Sequence, residues 1–166
     1  MIRTKVVNDS TDLIPLMRAF DTSVKQEVFK EIQSDWRPLS EIKEKYGNSG
    51  QKALELFDQM KLVETKWTTS ENGVDGKPQK TYRSYYSAFN INISCPVNEI
   101  SEIFTIASLN NEEFAKLEQE IYDFVGANGK FGNSVAEQFN LSTLALKSIV
   151  KRSNKLKYQG LKLIQT

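Results

Sequence analysis

Along the first sixty residues, apolar positions recur at helical spacing. In "TDLIPLMRAF", Leu13, Leu16, Met17 and Phe20 define a short helix that Ser10 and Thr11 can cap, with Pro15 tolerated near its first turn. "SVKQEVFKEIQSD" places Val24, Val28, Phe29 and Ile32 on one stripe and Lys25, Glu27, Lys30 and Glu31 on the other side, the pattern of an amphipathic helix. "WRPLSEIKEKYG" predicts a two-turn helix after Ser40, with Leu39, Ile42 and Tyr46 inward and Gly47 ending it. A tight turn leads into "NSGQKALELFDQM", whose Ala53, Leu54, Phe57 and Met60 keep helical spacing. Asn48, Ser49, Gln51, Lys52 and Glu55 are then exposed near the start of that helix.

Beyond Met60 the periodicity changes. "KLVETKWTT" alternates with β-type residues, "SENGVDGKPQK" is rich in turn formers, and "TYRSYYSAFNINIS" is a second β-prone run, so the three form a hairpin. Gly76 and Pro78 belong to its bend. Alternation turns Tyr82 and Tyr86 one way and Arg83 and Tyr85 the other. Helix, helix, short helix, turn, helix and hairpin is the order of a winged helix-turn-helix.

"CPVN" reads as a boundary, followed by a connecting helix in "NEISEIFTIASL" with Ile100, Ile103, Phe104 and Ala107 at helical spacing. The order of elements then restarts. "NNEEFAKLEQEIYDFVGANG" carries Phe114, Leu117, Ile121, Phe124 and Val125 on one face, "NSVAEQFN" is a two-turn helix, and "LSTLALKSIVKRSNKL" turns Leu146, Ile149, Val150 and Leu156 inward. "YQGLKLIQT" supplies a terminal strand. The expected fold is mainly α with small β hairpins (α+β), a tandem winged helix-turn-helix with domains over residues 1–96 and 97–166.

Composition narrows the function. The 166 residues are 39% hydrophobic and 26% charged, and they contain one cysteine and no histidine. Without imidazole, the Ser-His-Asp, Cys-His and zinc-hydrolase templates are excluded, and Cys95 can form no internal disulfide. Beside Pro96, it reads as an inert packed thiol. No phosphate-binding loop, dinucleotide fingerprint or metal-ligand spacing is present. These features speak against an enzyme, a cofactor and a metal site. There is no apolar run of membrane-spanning length, and the N-terminus lacks a signal peptide's apolar stretch, so an intracellular, cytoplasmic protein is expected.

The net charge of +1 conceals an asymmetry. Residues 98–123 hold seven acids against Lys116 alone, whereas residues 138–166 hold six cations and no acid. A basic working face beside an acidic one is one reading; two solvated helices is the other. Lys147, Lys151 and Lys155 recur every four residues and, with Thr143, would form one cationic stripe on a helix, suited to phosphates. The bland alternative is that they are solubilising lysines. Arg152 lies off that stripe and supports a neighbouring element or a phosphate at its edge. Trp36 and Trp67 each adjoin a hydrophobic element and read as packing residues. The pairs Glu112 with Glu113 and Glu118 with Glu120 read as a solvated helix face rather than an acid-base dyad.

The segments "AFDTSVKQEVFKEI" and "LSEIKEKYGNSGQKALELFDQMKLVETKW" resemble winged-helix regulators of the ArsR-like superfamily, particularly the archaeal type, over roughly residues 12–93. The resemblance implies a recognition helix on which Asn48, Ser49, Gln51 and Lys52 face bases and phosphates, with Lys77, Lys80 and Arg83 in or beside the wing. Gln51 can in principle read adenine and Lys52 can reach guanine or phosphate, whereas Asn48 and Ser49 serve equally as capping residues. The chain departs from that pattern in three respects. It lacks the cysteines and histidines of metal-sensing members, it has Lys61 where such a turn commonly has glycine, and Glu55 and Asp58 add negative charge to the recognition helix. The expected function is a DNA-binding transcriptional regulator, a homodimer through the apolar first helix, acting on double-stranded DNA. The alternative is a winged-helix protein–protein interaction module in transcription or chromatin machinery, for which the acidic segment would matter more.

Overall fold

A computed structural model describes residues 3–69 and 77–166. They fall into two compact units. One comprises the segment up to Val6 with Arg18–Ile91, the other Val7–Met17 with Asn92–Thr166. The division expected after residue 96 thus lies after Ile91, and residues 7–17 go with the C-terminal unit. The cause is apolar. In α1 (Leu13–Ala19), Ile14 is fully buried in the second core with Leu13 and Met17 packed beside it, whereas Ala19 and the following Phe20 belong to the first core. Asp9, and not Ser10 or Thr11, caps the preceding 3-10 turn (Ser10–Asp12), its carboxylate accepting from the Thr11 amide at 2.9 Å.

In the first unit, α2 (Ser23–Ser34) starts at Thr22, whose hydroxyl accepts from the Lys25 amide at 3.3 Å, and buries Val28, Phe29 and Ile32 as its periodicity predicts. β2 (Arg37–Pro38) leads into α3 (Leu39–Gln59), which is interrupted at Gly47 (φ 62°, ψ −150°). The expected short helix, turn and long helix are therefore joined through one residue, in a backbone region open essentially to glycine. Ser40 is not the cap. The helix already includes Leu39, and the Ser40 hydroxyl donates to Gln79 Oε1 at 2.7 Å. β3 (Val63–Thr69) and β4 (Pro78–Ser84) pair antiparallel from Val63↔Ser84 to Thr69↔Pro78, and the sheet order is β2-β4-β3. Pro78 opens β4 rather than sitting in the bend, a strand-end position where its missing N–H is tolerated. The bend residues Ser70–Gly76 lie outside the described residues.

The second β-prone run divides. β4 ends at Ser84, and β5 (Ala88–Ile91) pairs with β1 (Thr4–Val7). Tyr82 is buried and Tyr86 packs on the first core, while Tyr85 is 41% exposed and the Arg3 guanidinium lies 4.4 Å from its ring centre. That core is an aromatic cluster. Phe29 meets Phe20 and Phe57 edge-on at centroid distances of 5.0 and 5.3 Å.

The second unit comprises α4 (Val97–Ser108), α5 (Asn111–Val125), β6 (Lys130–Phe131), α6 (Gly132–Gln138), α7 (Thr143–Arg152), β7 (Leu156–Gln159) and β8 (Lys162–Gln165). Its sheet has the order β6-β8-β7. On α4, Ile103, Ile106 and Ala107 are buried, whereas Phe104, expected inward, is 51% exposed. Asn110 and Glu113 cap α5 reciprocally, the Glu113 amide donating to Asn110 Oδ1 at 2.8 Å. The terminal strand is in fact a hairpin. Gly160 (φ 61°) and Leu161 form a two-residue turn that pairs Gln159 with Lys162, and glycine at the first turn position suits such a loop.

Candidate nucleic-acid interface

α7 is the most basic helix and begins at Ser142, whose hydroxyl accepts from the Ala145 amide at 2.9 Å and donates to Glu102. Leu146 and Ile149 are fully buried, which fixes the rotation of the helix and turns Thr143, Lys147 and Lys151 to solvent. Residues four apart advance about 40° around a helix. The three therefore share one stripe, and all three line a single cleft of about 600 Å³. The hairpin contributes Tyr158 and Leu161 to that cleft, and the 3-10 turn contributes Asp9. Burial pushes the Tyr158 hydroxyl above its ordinary pKa.

Lys155 does not continue the stripe. The helix ends at Arg152 because Ser153 takes extended geometry and its hydroxyl accepts from the Lys155 and Leu156 amides, both at 3.0 Å. Glu118 closes this turn. It is buried, not solvated, and accepts from the Ser153 hydroxyl and the Asn154 amide. Lys155 Nζ instead donates to Gln119 Oε1 at 2.9 Å. Arg152 serves the neighbouring helices, donating to the Ile106 carbonyl at 2.8 Å with its guanidinium 4.2 Å from the Phe114 ring centre.

Lys151 is engaged as well. Its ammonium donates to Asp12 Oδ1 at 2.6 Å. Asp9 accepts from both the amide and the hydroxyl of Thr11, and these bonds, aided by Lys151 and Lys147, hold its carboxyl below the usual carboxylate range. Sequence patterning missed both aspartates, since nothing local pairs residues 9–12 with residues 147–151.

In the first unit, Asn48, Ser49 and Lys52 are exposed at the start of the second half of α3. Among the described residues neither Asn48 nor Ser49 makes a capping hydrogen bond, and Lys52 has no ion pair. Gln51 is half-buried and donates to Glu55 Oε1 at 2.9 Å. The wing cations are held internally. Lys80 reaches Asp58 Oδ2 at 2.7 Å, which raises its pKa, and Arg83 donates through Nε and Nη2 to Glu64 Oε1 at 3.0 and 2.7 Å. Lys77 is exposed just before β4. Trp67, expected to pack, is 70% exposed on β3 directly across from Lys80. Trp36 is half-buried beneath cations, with Lys66 Nζ 4.1 Å and the Arg83 guanidinium 5.0 Å from its ring centre.

Cations grouped on one helix beside a hairpin have the chemistry to meet phosphates. Family comparison makes this specific: the model for the ArsR transcriptional regulators matches residues 7–166, and the chain belongs to that family of DNA-binding regulators. A search of curated proteins returned no match. No described helix is long and apolar enough to cross a membrane.

Proposed function

We propose that the chain is a cytoplasmic transcriptional regulator built as a tandem winged helix-turn-helix, contacting duplex DNA through recognition helices and basic wings. The carrying observation is that α7 turns Thr143, Lys147 and Lys151 into one solvent-open cleft beside a hairpin. The recurrence of a two-residue strand, a short helix, a longer helix and a hairpin in both units, with sheet orders β2-β4-β3 and β6-β8-β7, supports the tandem reading. In the first unit the proposed contacts are Asn48, Ser49, Gln51 and Lys52 on α3, of which Asn48 and Lys52 share the burial register of Thr143 and Lys147, with Lys77, Lys80 and Arg83 in or beside the wing. The pairs that hold Lys80 and Arg83 are solvent-accessible, and such pairs are worth only about 0–1 kcal/mol, so phosphates can compete for these cations. Lys155, bonded to Gln119 beyond the end of α7, is at most a peripheral contact.

The regulator acts as a homodimer in this reading. Of Leu13, Leu16, Met17 and Phe20 in the first helical segment, three pack partly buried against the cores and Leu16 is half-buried, so α4, where Val97 and Phe104 are 80% and 51% exposed one heptad apart, offers a further surface for pairing. The test is titration of a fluorescent duplex with the wild type and Lys147→Ala over a range of salt. Each phosphate contact contributes about 0.9 to the slope of log affinity against log salt, so the variant should bind more weakly and lose about one unit of slope. Sedimentation of the complex should give two chains per duplex. Unchanged affinity and slope would remove the lysine stripe from the interface.

A second reading, a winged-helix protein-interaction module, is favoured by one observation in the first unit: its wing pairs Lys80 and Arg83 internally while leaving Trp67 exposed. Absence of duplex binding at low salt, with a stable protein partner co-purifying, would select it.

A further inference from the structure

The lysines on α7 are not bare. The 3-10 turn at residues 10–12 and its cap bring two carboxylates towards them: Asp12 accepts from Lys151 Nζ at 2.6 Å, and the capping Asp9 lines the same cleft as Lys147 and Lys151. The turn is itself well fixed. Thr11 is buried and binds Asp9 Oδ1 through its amide at 2.9 Å and its hydroxyl at 2.7 Å, the Asp12 amide donates to the Asp9 carbonyl at 3.1 Å, and Ile14 anchors the next turn in the core. Asp9 therefore cannot swing away without losing Thr11, which is not exposed to water. Asp12 and Lys151 remain accessible, with side-chain exposures of 39% and 45%.

A carboxylate and a phosphodiester each present one negative charge and acceptor oxygens to an ammonium. Asp12 on Lys151, with Asp9 in the same cleft, therefore offers the α7 lysines the kind of partner a phosphate would be. We infer that the residue 9–12 turn is an autoinhibitory contact: Asp9 and Asp12 neutralise the α7 stripe in the free protein and must yield Lys151 to phosphate when DNA enters the cleft. The inference rests on the reading of α7 as a DNA-contacting helix. It adds that the resting affinity of this helix is set below what its lysines alone would give. Any event that withdraws the turn from α7 would raise that affinity. Such a brake acts through charge, so it weakens as salt screens it.

The contact also bears on the opposite proposal, an anionic small-molecule site in the same cleft. With Asp9 and Asp12 beside Lys147 and Lys151, the local charge is balanced, and an organic anion gains no net attraction there. Duplex DNA differs because it brings a continuous array of charges and releases condensed counterions when it binds.

The experiment measures binding of a random-sequence 20-base-pair duplex to the full chain at low and high salt. Asp9→Asn with Asp12→Asn keeps side chains that can still cap the turn, while removing both charges. A control, Glu112→Gln with Glu120→Gln, removes the same charge from exposed positions on α5. A solvent-accessible pair such as Asp12 with Lys151 is worth a factor of about two to five, and Asp9, which among the described residues pairs with no lysine, adds a smaller effect through its field. The double variant should therefore tighten binding about twofold to tenfold at low salt, with the gain shrinking at high salt. Equal tightening by the control would overturn the brake, since net charge alone would then account for it. If Lys147→Ala weakens binding but the aspartate variant leaves it unchanged, the brake fails and the DNA reading stands. If Lys147→Ala also changes nothing, the DNA reading of α7 fails and the brake falls with it. Thermal unfolding of each variant separates these outcomes from loss of fold.

Discussion

At Lys61 the backbone takes a left-handed conformation, φ 54°, just past the end of α3. Its amide donates to the Asp58 carbonyl at 3.0 Å and the Leu62 amide to the Phe57 carbonyl at 2.9 Å, a closure that satisfies two carbonyls the helix leaves open. The geometry requires a positive φ, and a lysine adopts one only against the clash of its Cβ. A turn of this kind commonly has glycine, so lysine at this position was already unusual in the sequence. Lys61→Gly should raise stability by about 0.5–1 kcal/mol, the relief of strain exceeding the extra chain entropy glycine carries when unfolded. Urea unfolding measures it, and a lower midpoint in the variant would show that the lysine stem contributes more packing than its strain costs. Asn140 (φ 51°) closes α6 in the same way, its amide bonded to the Glu137 carbonyl and the Leu141 amide to that of Ala136. Asparagine tolerates this conformation better, so the strain at that site is smaller.

Within α3, the break fixes where Asn48, Ser49, Gln51 and Lys52, the residues proposed to contact DNA, fall. Gly47 redirects the helix, and Gly50, buried one turn later, lets the two pieces approach. A Cβ added at Gly50 would stand 2.7 Å from Tyr46 Cβ and 2.9 Å from Ile42 Cγ2. Alanine favours a helix interior over glycine by about 1 kcal/mol, yet Gly50→Ala should destabilise by about 1–3 kcal/mol because Ile42 is fully buried and cannot recede. A urea midpoint at or above the wild-type value would show that the two pieces can shift apart. Elements with local signals were legible: the helical stripes of α2, α3 and α5 are buried where their periodicity put them. Others depended on distant partners. β5 pairs with β1, and the Ser87 amide donates to the Arg3 carbonyl just ahead of both strands, yet nothing near Ala88 in the sequence reveals that partner. α7 stops short of Lys155 because Ser153 bonds the following amides and Glu118, so counting lysines every four residues overran the helix. The terminal hairpin was hidden by its brevity, since a four-residue strand on each side of Gly160 looks like one strand in a nine-residue run.

For the whole molecule, charge was legible in amount but not in arrangement. The six cations of residues 138–166 were read as a working surface; the structure gives Arg152 to the helices around Phe114, Lys155 to Gln119, and Lys151 to a carboxylate 139 positions earlier in the chain. What the sequence did determine is the pH response. No histidine exists to titrate near neutrality. The groups that folding perturbs lie at the extremes. Hydrogen bonds from Lys45 and Tyr46 lower the Glu31 carboxyl, those from Thr11 lower Asp9, and Glu31 and Asp58 in turn raise Lys45 and Lys80. A carboxyl lowered in the folded state contributes stability above its ordinary value, 3.8 for Asp9 and 4.5 for Glu31, and loses it as pH falls through the folded value. A raised lysine contributes below 10.5 and loses that contribution as pH rises beyond. Urea midpoints should therefore be level between about pH 6 and pH 9 and decline below about pH 4. Glu31→Gln should lie below the wild type across the level region and converge with it in acid, because the wild type there loses by protonation what the variant lacks at every pH. A step in stability between pH 6 and 8 would contradict this account, and so would a Glu31→Gln curve running parallel to the wild type down to about pH 2.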